Sequence, residues 1–133
     1  MNKTASDAPA ILLIEDDEEI REGMVQFLRT RGYRVAWATN EQESILEITN
    51  SQLQFGLFLV DQKMKSEEAL EIGRRLRAYV GTGKDIPVIV IPQEFSKEME
   101  GRDEDLGEKD YKTYLTNGQQ LENLLSRLLP PES

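Results

Sequence analysis

The 133-residue chain contains no cysteine and no histidine. Without cysteine there is no disulfide framework and no thiolate metal site, and the redox compartment is left open. Without histidine the commonest general base and metal ligand is missing, which excludes hydrolytic triads and histidine-bound zinc. The protein is not expected to be an enzyme. Basic side chains are in deficit: 16 Lys and Arg stand against 25 Asp and Glu, for a formal net charge of −9 and a pI near 4.6. So acidic a domain repels nucleic acid, and no basic stripe compensates, so no direct nucleic-acid contact is expected. No apolar run approaches the length of a membrane span. Residues Met1 to Asp7 lack the apolar centre of a signal peptide. The reading is a soluble, cytoplasmic, single-domain protein, large enough to bury a core without staples.

Against these absences stand two short apolar runs that each end in acid. Ile11-Leu12-Leu13-Ile14 leads into Glu15-Asp16-Asp17, and Leu57-Phe58-Leu59-Val60 leads into Asp61. If the runs are neighbouring parallel strands, their carboxyl ends share one edge, and Glu15, Asp16 and Asp61 crowd together. Carboxylates that close repel, and a hard divalent cation relieves the repulsion. An Asp beside such a cation is a candidate phosphoryl acceptor. The blander reading makes Asp16 and Asp17 helix caps and Asp61 a turn residue. The pairing of the two runs favours a metal site for Glu15 and Asp16 and leaves the cap to Asp17.

The rest of the chain alternates strand and helix. After a polar arm over residues 1–9, a strand is expected from Ala10 to Ile14. A helix carrying Ile20, Met24, Phe27 and Leu28 at helical spacing follows, stopped by Gly32. Tyr33 to Ala38 reads as the second strand, with Tyr33 and Trp37 packing at its edge. Asn40 caps a second helix bearing Ile45, Leu46 and Ile48. Phe55 to Val60 is the third strand. A third helix over Ser66 to Val80 points Leu70, Ile72, Leu76, Tyr79 and Val80 inward, and Gly81-Thr82-Gly83 forms a turn. Ile86 to Ile91 is the fourth strand, ended by Pro92. Gln93 to Lys109 is strongly charged, with only Phe95, Met99 and Leu106 as apolar anchors, so a helix there would be marginal. Lys112 to Leu115 reads as a fifth strand. The last helix carries the stripe Leu121, Leu124, Leu125, Leu128 and Leu129, and Pro130-Pro131 ends it. Such alternation implies right-handed crossovers onto a parallel sheet, with ligands at the carboxyl ends of the strands.

In the order and spacing of these segments the chain resembles the receiver domain of bacterial response regulators. Ile11 to Ile20 resembles that family's opening strand and acidic pair. Gly32-Tyr33-Arg34-Val35 resembles its entry to the second strand, and Leu59-Val60-Asp61-Gln62-Lys63-Met64 its phosphoacceptor segment. Ile86 to Ile91 resembles its fourth strand, and Tyr114-Leu115-Thr116-Asn117-Gly118 with Leu121 to Leu125 its fifth strand and last helix. The resemblance covers about Ala10 to Leu129. It implies a flavodoxin-like α/β fold, a five-stranded parallel sheet in the order 2-1-3-4-5 with helices on both faces. It also implies Asp61 as phosphoacceptor and Mg²⁺ as cofactor, held by Glu15, Asp16, Asp61 and the backbone carbonyl of Lys63.

Four positions depart from the family: the Pro shortly after the acceptor is Lys65, the Pro after the family's Lys is Gly118, and the other two bear on the phosphoryl group. The slot for a Ser or Thr after the fourth strand is Pro92, which has neither hydroxyl nor N–H. The slot for a Lys after the fifth strand is Asn117, a neutral donor; a charge-assisted bond contributes roughly 1.5–3 kcal/mol against about 1 for a neutral one. Tyr114 matches the family's aromatic switch position. Lys63 is a candidate substitute cation. Asn117-Gly118 is by default a structural turn.

The domain is therefore expected over residues 10–129 with a tail at 130–133. The expected work is phosphorelay signalling: Asp61 takes a phosphoryl group from a histidine kinase or phosphotransfer protein. The change is felt by a downstream protein on the face of the fourth helix, fifth strand and fifth helix, and a homodimer is left open. The alternative is a pseudo-receiver that works as a phosphorylation-independent interaction module. A small-ligand or nucleotide binder is weighed against by the lack of a glycine-rich loop after the first strand.

Overall fold

The computed structural model describes residues 9–81, 85–94 and 96–131. The expected arm before Pro9, the turn residues Thr82 and Gly83, the apolar anchor Phe95, and Glu132 and Ser133 of the tail lie outside the described residues.

β1 (Ala10–Glu15) is buried along its whole length, as a central strand covered on both faces must be. It pairs in parallel with β2 (Arg34–Ala38) on one side and β3 (Phe55–Asp61) on the other. Alternation along the strands sorts the side chains into two layers. Ile11 and Leu13 face Val25 and Leu28 of α1 (Glu18–Thr30) and Leu121, Leu124 and Leu125 of α4 (Gly118–Leu128). Leu12 and Ile14 face Leu70, Ile72 and Leu76 of α3 (Ser66–Val80), with Ile45 and Ile48 of α2 (Glu41–Asn50) beside them. Each such buried aliphatic side chain contributes roughly 1.5–3 kcal/mol.

Short polar side chains set the helix starts. Asp17 Oδ1 accepts from Ile20 N–H at 2.9 Å, and Asn40 Oδ1 from Glu43 N–H at 2.9 Å. The Glu43 carboxylate reaches back to Thr39 N–H at 2.9 Å, closing a reciprocal cap. Gly32, at φ 93°, turns the chain out of α1. One side chain expected to face inward does not: Tyr79 is 51% exposed, its hydroxyl bonded to Thr49 Oγ1 at 2.8 Å; Leu46 of α2 is exposed too. An amphipathic stripe is wider than the surface its neighbours can cover.

β4 (Val88–Val90) pairs in parallel with β3. Beyond it the chain departs from expectation. Among the described residues no helix forms between Ile91 and Lys109. β5 (Asp103–Gly107) runs antiparallel to β6 (Asp110–Thr113), and β6 is the strand that pairs in parallel with β4. The order is β2-β1-β3-β4-β6-β5: the five parallel strands stand as expected, with an antiparallel sixth at the edge. The fifth parallel strand also starts two residues earlier than its expected Lys112. The expected signalling face is thereby corrected, because a β-hairpin takes the place of its fourth helix.

The physical reasons are local. Gly101 and Gly107 take positive φ, and the two residues joining the strands, Glu108 and Lys109, lie at φ 54° and 66°. Positive φ at both central residues is the signature of a type I′ hairpin turn, usually Asn-Gly. Here it costs roughly 1–2 kcal/mol per residue. Side chains offset the cost. Glu104 stands opposite Lys112 in register, and Asp103 Oδ1 accepts from Thr113 Oγ1 at 2.6 Å and Gln120 Nε2 at 3.0 Å. At the root of β6, Asp110 is 1% exposed. Its two oxygens accept from Arg74 Nε and Arg77 Nη2, each at 2.8 Å. Helix α3 thus grips the hairpin through two guanidinium groups.

Two substitutions test this packing. Gly73 of α3 lies against Val88, and a Cβ there would overlap the Val88 side chain. The helix-propensity gain of Gly73→Ala, about 1 kcal/mol, is smaller than an overpacking cost of roughly 1–3 kcal/mol against a β-branched neighbour in the sheet. Urea unfolding should show net destabilisation that Val88→Ala relieves. Asp110→Ala leaves Arg77, whose side chain is 11% exposed, without its carboxylate. A loss of about 3 kcal/mol is expected, with hydrogen exchange rising first in residues 103–113.

Candidate functional site

Parallel register puts Glu15 directly opposite Asp61. Strand alternation then sends both side chains to the side of α1 and α4. They are 3% and 9% exposed. Glu15 Oε2 accepts from Asp17 N–H at 3.0 Å, and its carboxyl lies beside that of Asp61, close enough for the two to share a proton. Glu15 Oε1 is buried with no donor facing it. Burial, then the hydrogen bond and negative charge of Asp61, push the Glu15 carboxyl up from 4.5 to about 8, and the Asp17 N–H offsets only part of this. One proton held between two carboxyls is the state this geometry favours when no cation is present.

The three acids expected to share one cup divide. Glu15 and Asp61 meet, while Asp16 leaves the strand and stands exposed. Among the described residues no group of three acids forms a ready-made metal cluster. The donor set still fits Mg²⁺, which keeps several waters and uses one or two carboxylates. An ion at this pair would satisfy the orphaned Glu15 Oε1. Lys63, the expected source of a carbonyl ligand and the candidate substitute cation, is exposed on the loop after β3.

The degenerate positions fall as follows. Pro92 is half-buried just past β4. Asn117 is an N-cap: its Oδ1 accepts from Gln120 N–H at 3.0 Å at the start of α4. The default structural reading of Asn117-Gly118 therefore describes its observed bonds. Asn117 also lines, with Asp61, Ile20, Met24, Phe27 and Leu115, a groove of about 500 Å³ between α1 and α4. Tyr114 is half-buried and lines a separate hollow of about 220 Å³.

Sequence reasoning missed Gln93. Its Nε2 donates to Asp61 Oδ1 at 2.8 Å, so the neighbour of Pro92 contacts the acid that Pro92 cannot. The signal available was modest: a primary amide immediately past the fourth strand, at the edge where ligands bind.

Comparison with known proteins identifies the family and the fold. The family model for the response regulator receiver domain matches residues 11–128. The chain is 31% identical over 118 residues to the response regulator MprA of Mycobacterium tuberculosis (strain ATCC 25618 / H37Rv), covering 89% of this chain and 48% of that protein. It is 34% identical over 118 residues to MprA of Mycobacterium ulcerans (strain Agy99), covering 89% and 47%. The chain thus spans about half the length of these curated relatives. Among solved structures, the Vibrio cholerae chemotaxis protein CheY4 superposes with a TM-score of 0.69 at 22% identity, over 92% of this chain and 99% of that one. The Thermotoga maritima response regulator TrrA, solved in complex with Mg²⁺ and BeF, gives a TM-score of 0.65 at 22% identity, over 91% and 99%. The chain belongs to the response regulator receiver domain family, with its flavodoxin-like fold. No helix among the described residues is long and apolar enough to cross a membrane.

The raised Glu15 pKa has a sign that can be measured. The unfolded carboxyl ionises near 4.5 and the folded one near 8. The stability contributed by the protonated group is complete below the first value and lost as pH rises through the second. In metal-free buffer, urea unfolding of Glu15→Gln against wild type should show an advantage for the variant that grows from pH 4.5 to about 8 and then levels.

Proposed function

We propose that this receiver domain accepts a phosphoryl group on Asp61, in a cytoplasmic phosphorelay, from a histidine kinase or phosphotransfer protein. The observation that carries the reading is the buried Glu15–Asp61 pair with its unpartnered Glu15 Oε1. Such a pair is costly as a purely structural element and suits a site that takes up a cation. Bound Mg²⁺ would supply charge neutralisation for the approaching phosphoryl oxygens. Glu15 and Asp61 would hold it, with Asp16 and the Lys63 carbonyl within the same loops.

The step itself belongs to Asp61. A carboxylate oxygen attacks phosphorus in line, the bond from phosphorus to the donor's nitrogen breaks, and the leaving imidazole keeps the electron pair and takes a proton from water. The product is an acyl phosphate. The chain acts as a stoichiometric acceptor, and most of the rate comes from positioning and charge. Gln93 supplies an amide donor to Asp61 Oδ1. The output surface in this reading is the β5–β6 hairpin with α4, presented to a downstream protein.

A second reading, the phosphorylation-independent interaction module, is favoured by a specific observation. Asp61 is already satisfied by Gln93 and Glu15, and Asn117 is committed to capping α4.

Intact-mass measurement after treatment with acetyl phosphate and Mg²⁺ separates the two. One added phosphoryl group, absent in Asp61→Asn, supports the first reading; no addition to the folded wild type supports the second. If Lys63 provides the missing cation, Lys63→Ala should slow uptake about ten-fold, the value of one charge-assisted contact. An unchanged rate removes Lys63 from the site.

A further inference from the structure

The turn after Asp61 keeps its shape without a proline. Lys65 stands where the family has one, and its side chain makes no cap bond to α3. What holds the turn is Gln62, the residue between Asp61 and Lys63. Its side chain is 6% exposed, and its Nε2 donates to Thr39 O at 2.6 Å. Thr39 follows the last residue of β2, Asp61 ends β3, and β1 lies between those two strands. The Gln62 carboxamide therefore straps β3 to β2 past the end of β1, where Glu15 leads into Asp16. Both ends of the strap are fastened. At one end Gln62 O accepts from Met64 N–H at 2.8 Å, closing a three-residue turn with Lys63 at its centre. At the other, the Glu43 carboxylate accepts from Thr39 N–H at 2.9 Å and from Thr39 Oγ1 at 2.6 Å, beside the Asn40 cap of α2.

We propose that Gln62 is a positioning residue that makes the Glu15–Asp61 site selective for Mg²⁺ over Ca²⁺. The inference rests on the phosphoacceptor reading with its cation and adds what sets the choice of ion. Mg²⁺ is small and demands near-ideal octahedral geometry, whereas Ca²⁺ takes more oxygens, at longer distances, in a flexible shell. Carboxylates alone discriminate poorly, because both ions accept them. A main-chain carbonyl held in place discriminates, because it cannot move outward to suit the larger ion. The strap restrains the Lys63 peptide in this way, through the side chain of Gln62 and through its carbonyl. Because Gln62 is buried, losing its donor leaves Thr39 O without that partner and loosens the turn. The chain carries its own reporter. Arg21 Nη1 donates to Glu15 O at 3.2 Å, and the Arg21 guanidinium lies 4.1 Å from the centre of the ring of Trp37, the single tryptophan.

The test is titration of the full chain with magnesium chloride and with calcium chloride at constant ionic strength, followed by calorimetry and by Trp37 emission. The wild type should bind Mg²⁺ more tightly than Ca²⁺, and Asp61→Asn should weaken both. Gln62→Met keeps an unbranched side chain of similar length and removes the donor. It should weaken Mg²⁺ binding about five-fold, the equivalent of one neutral hydrogen bond, and leave Ca²⁺ binding within about two-fold. A merely structural role would lower the thermal midpoint while the two ions weaken together or not at all, and either pattern overturns the inference. So does a wild type that binds the two ions equally. In those outcomes saturable Mg²⁺ binding that needs Asp61 leaves the acceptor reading standing. A wild type that binds neither ion overturns both. If Gln62→Met fails to fold, Glu43→Gln at the exposed end of the strap decides. A fall in the ratio of Mg²⁺ to Ca²⁺ affinity supports the strap, and an unchanged ratio overturns it.

Discussion

A carboxylate taken out of water beside another carboxylate must share a proton or find a cation. Parallel pairing of β1 with β3 imposes that condition on Glu15 and Asp61, because it sets them opposite each other where the sheet ends. The surrounding structure answers it in part. Asp17 N–H serves one Glu15 oxygen and Gln93 Nε2 one Asp61 oxygen, while Glu15 Oε1 is left without a donor. The remaining imbalance is chemical capacity. That imbalance favours a proton on the pair, and the donor set fits a hard cation.

The same sheet edge departs from the family resemblance at two positions around Asp61. The hydroxyl and ammonium positions of the family are Pro92 and Asn117, and neither directs a donor at Asp61 in this structure. The segment that follows builds a hairpin. Its edge strand is rich in acid, with Asp103, Glu104 and Asp105 in five residues. Charge on an exposed edge strand discourages pairing with other chains. Here part of that charge also bonds inward, to Thr113 and Gln120. The hairpin is anchored to α3 by the Arg74 and Arg77 grip on Asp110, so the altered region is well fastened.

Much of the fold was legible because burial leaves periodicity behind. The all-apolar β1, the period of α1 and α3, the leucine stripe of α4 and the caps Asp17 and Asn40 all follow from residue type and spacing. The hairpin was half legible: its inner strand was read from Lys112, but its edge strand is rich in acid and its turn is Glu108-Lys109, so neither strand propensity nor turn chemistry marked the rest. What stabilises it comes from distant parts of the chain: Arg74, Arg77 and Gln120. Tyr79 was misplaced because periodicity gives the face of a helix but not the extent of what covers it.

Sequence alone determined that two apolar strands end in acid at the same edge of a parallel sheet, and that Pro92 and Asn117 cannot supply a hydroxyl and a charge. Those statements need only residue identity and strand order. Tertiary structure decided which acids meet, since strand register pairs Glu15 with Asp61 while Asp16 turns out to solvent. It also decided that Gln93 is the partner of Asp61, that Asn117 is consumed by the helix it starts, and that a hairpin closes the sheet. The Gln93 contact and the hairpin's anchorage depend on side chains tens of positions apart, the Asn117 cap on local geometry, and in every case a hydrogen bond is made or lost within a fraction of an ångström.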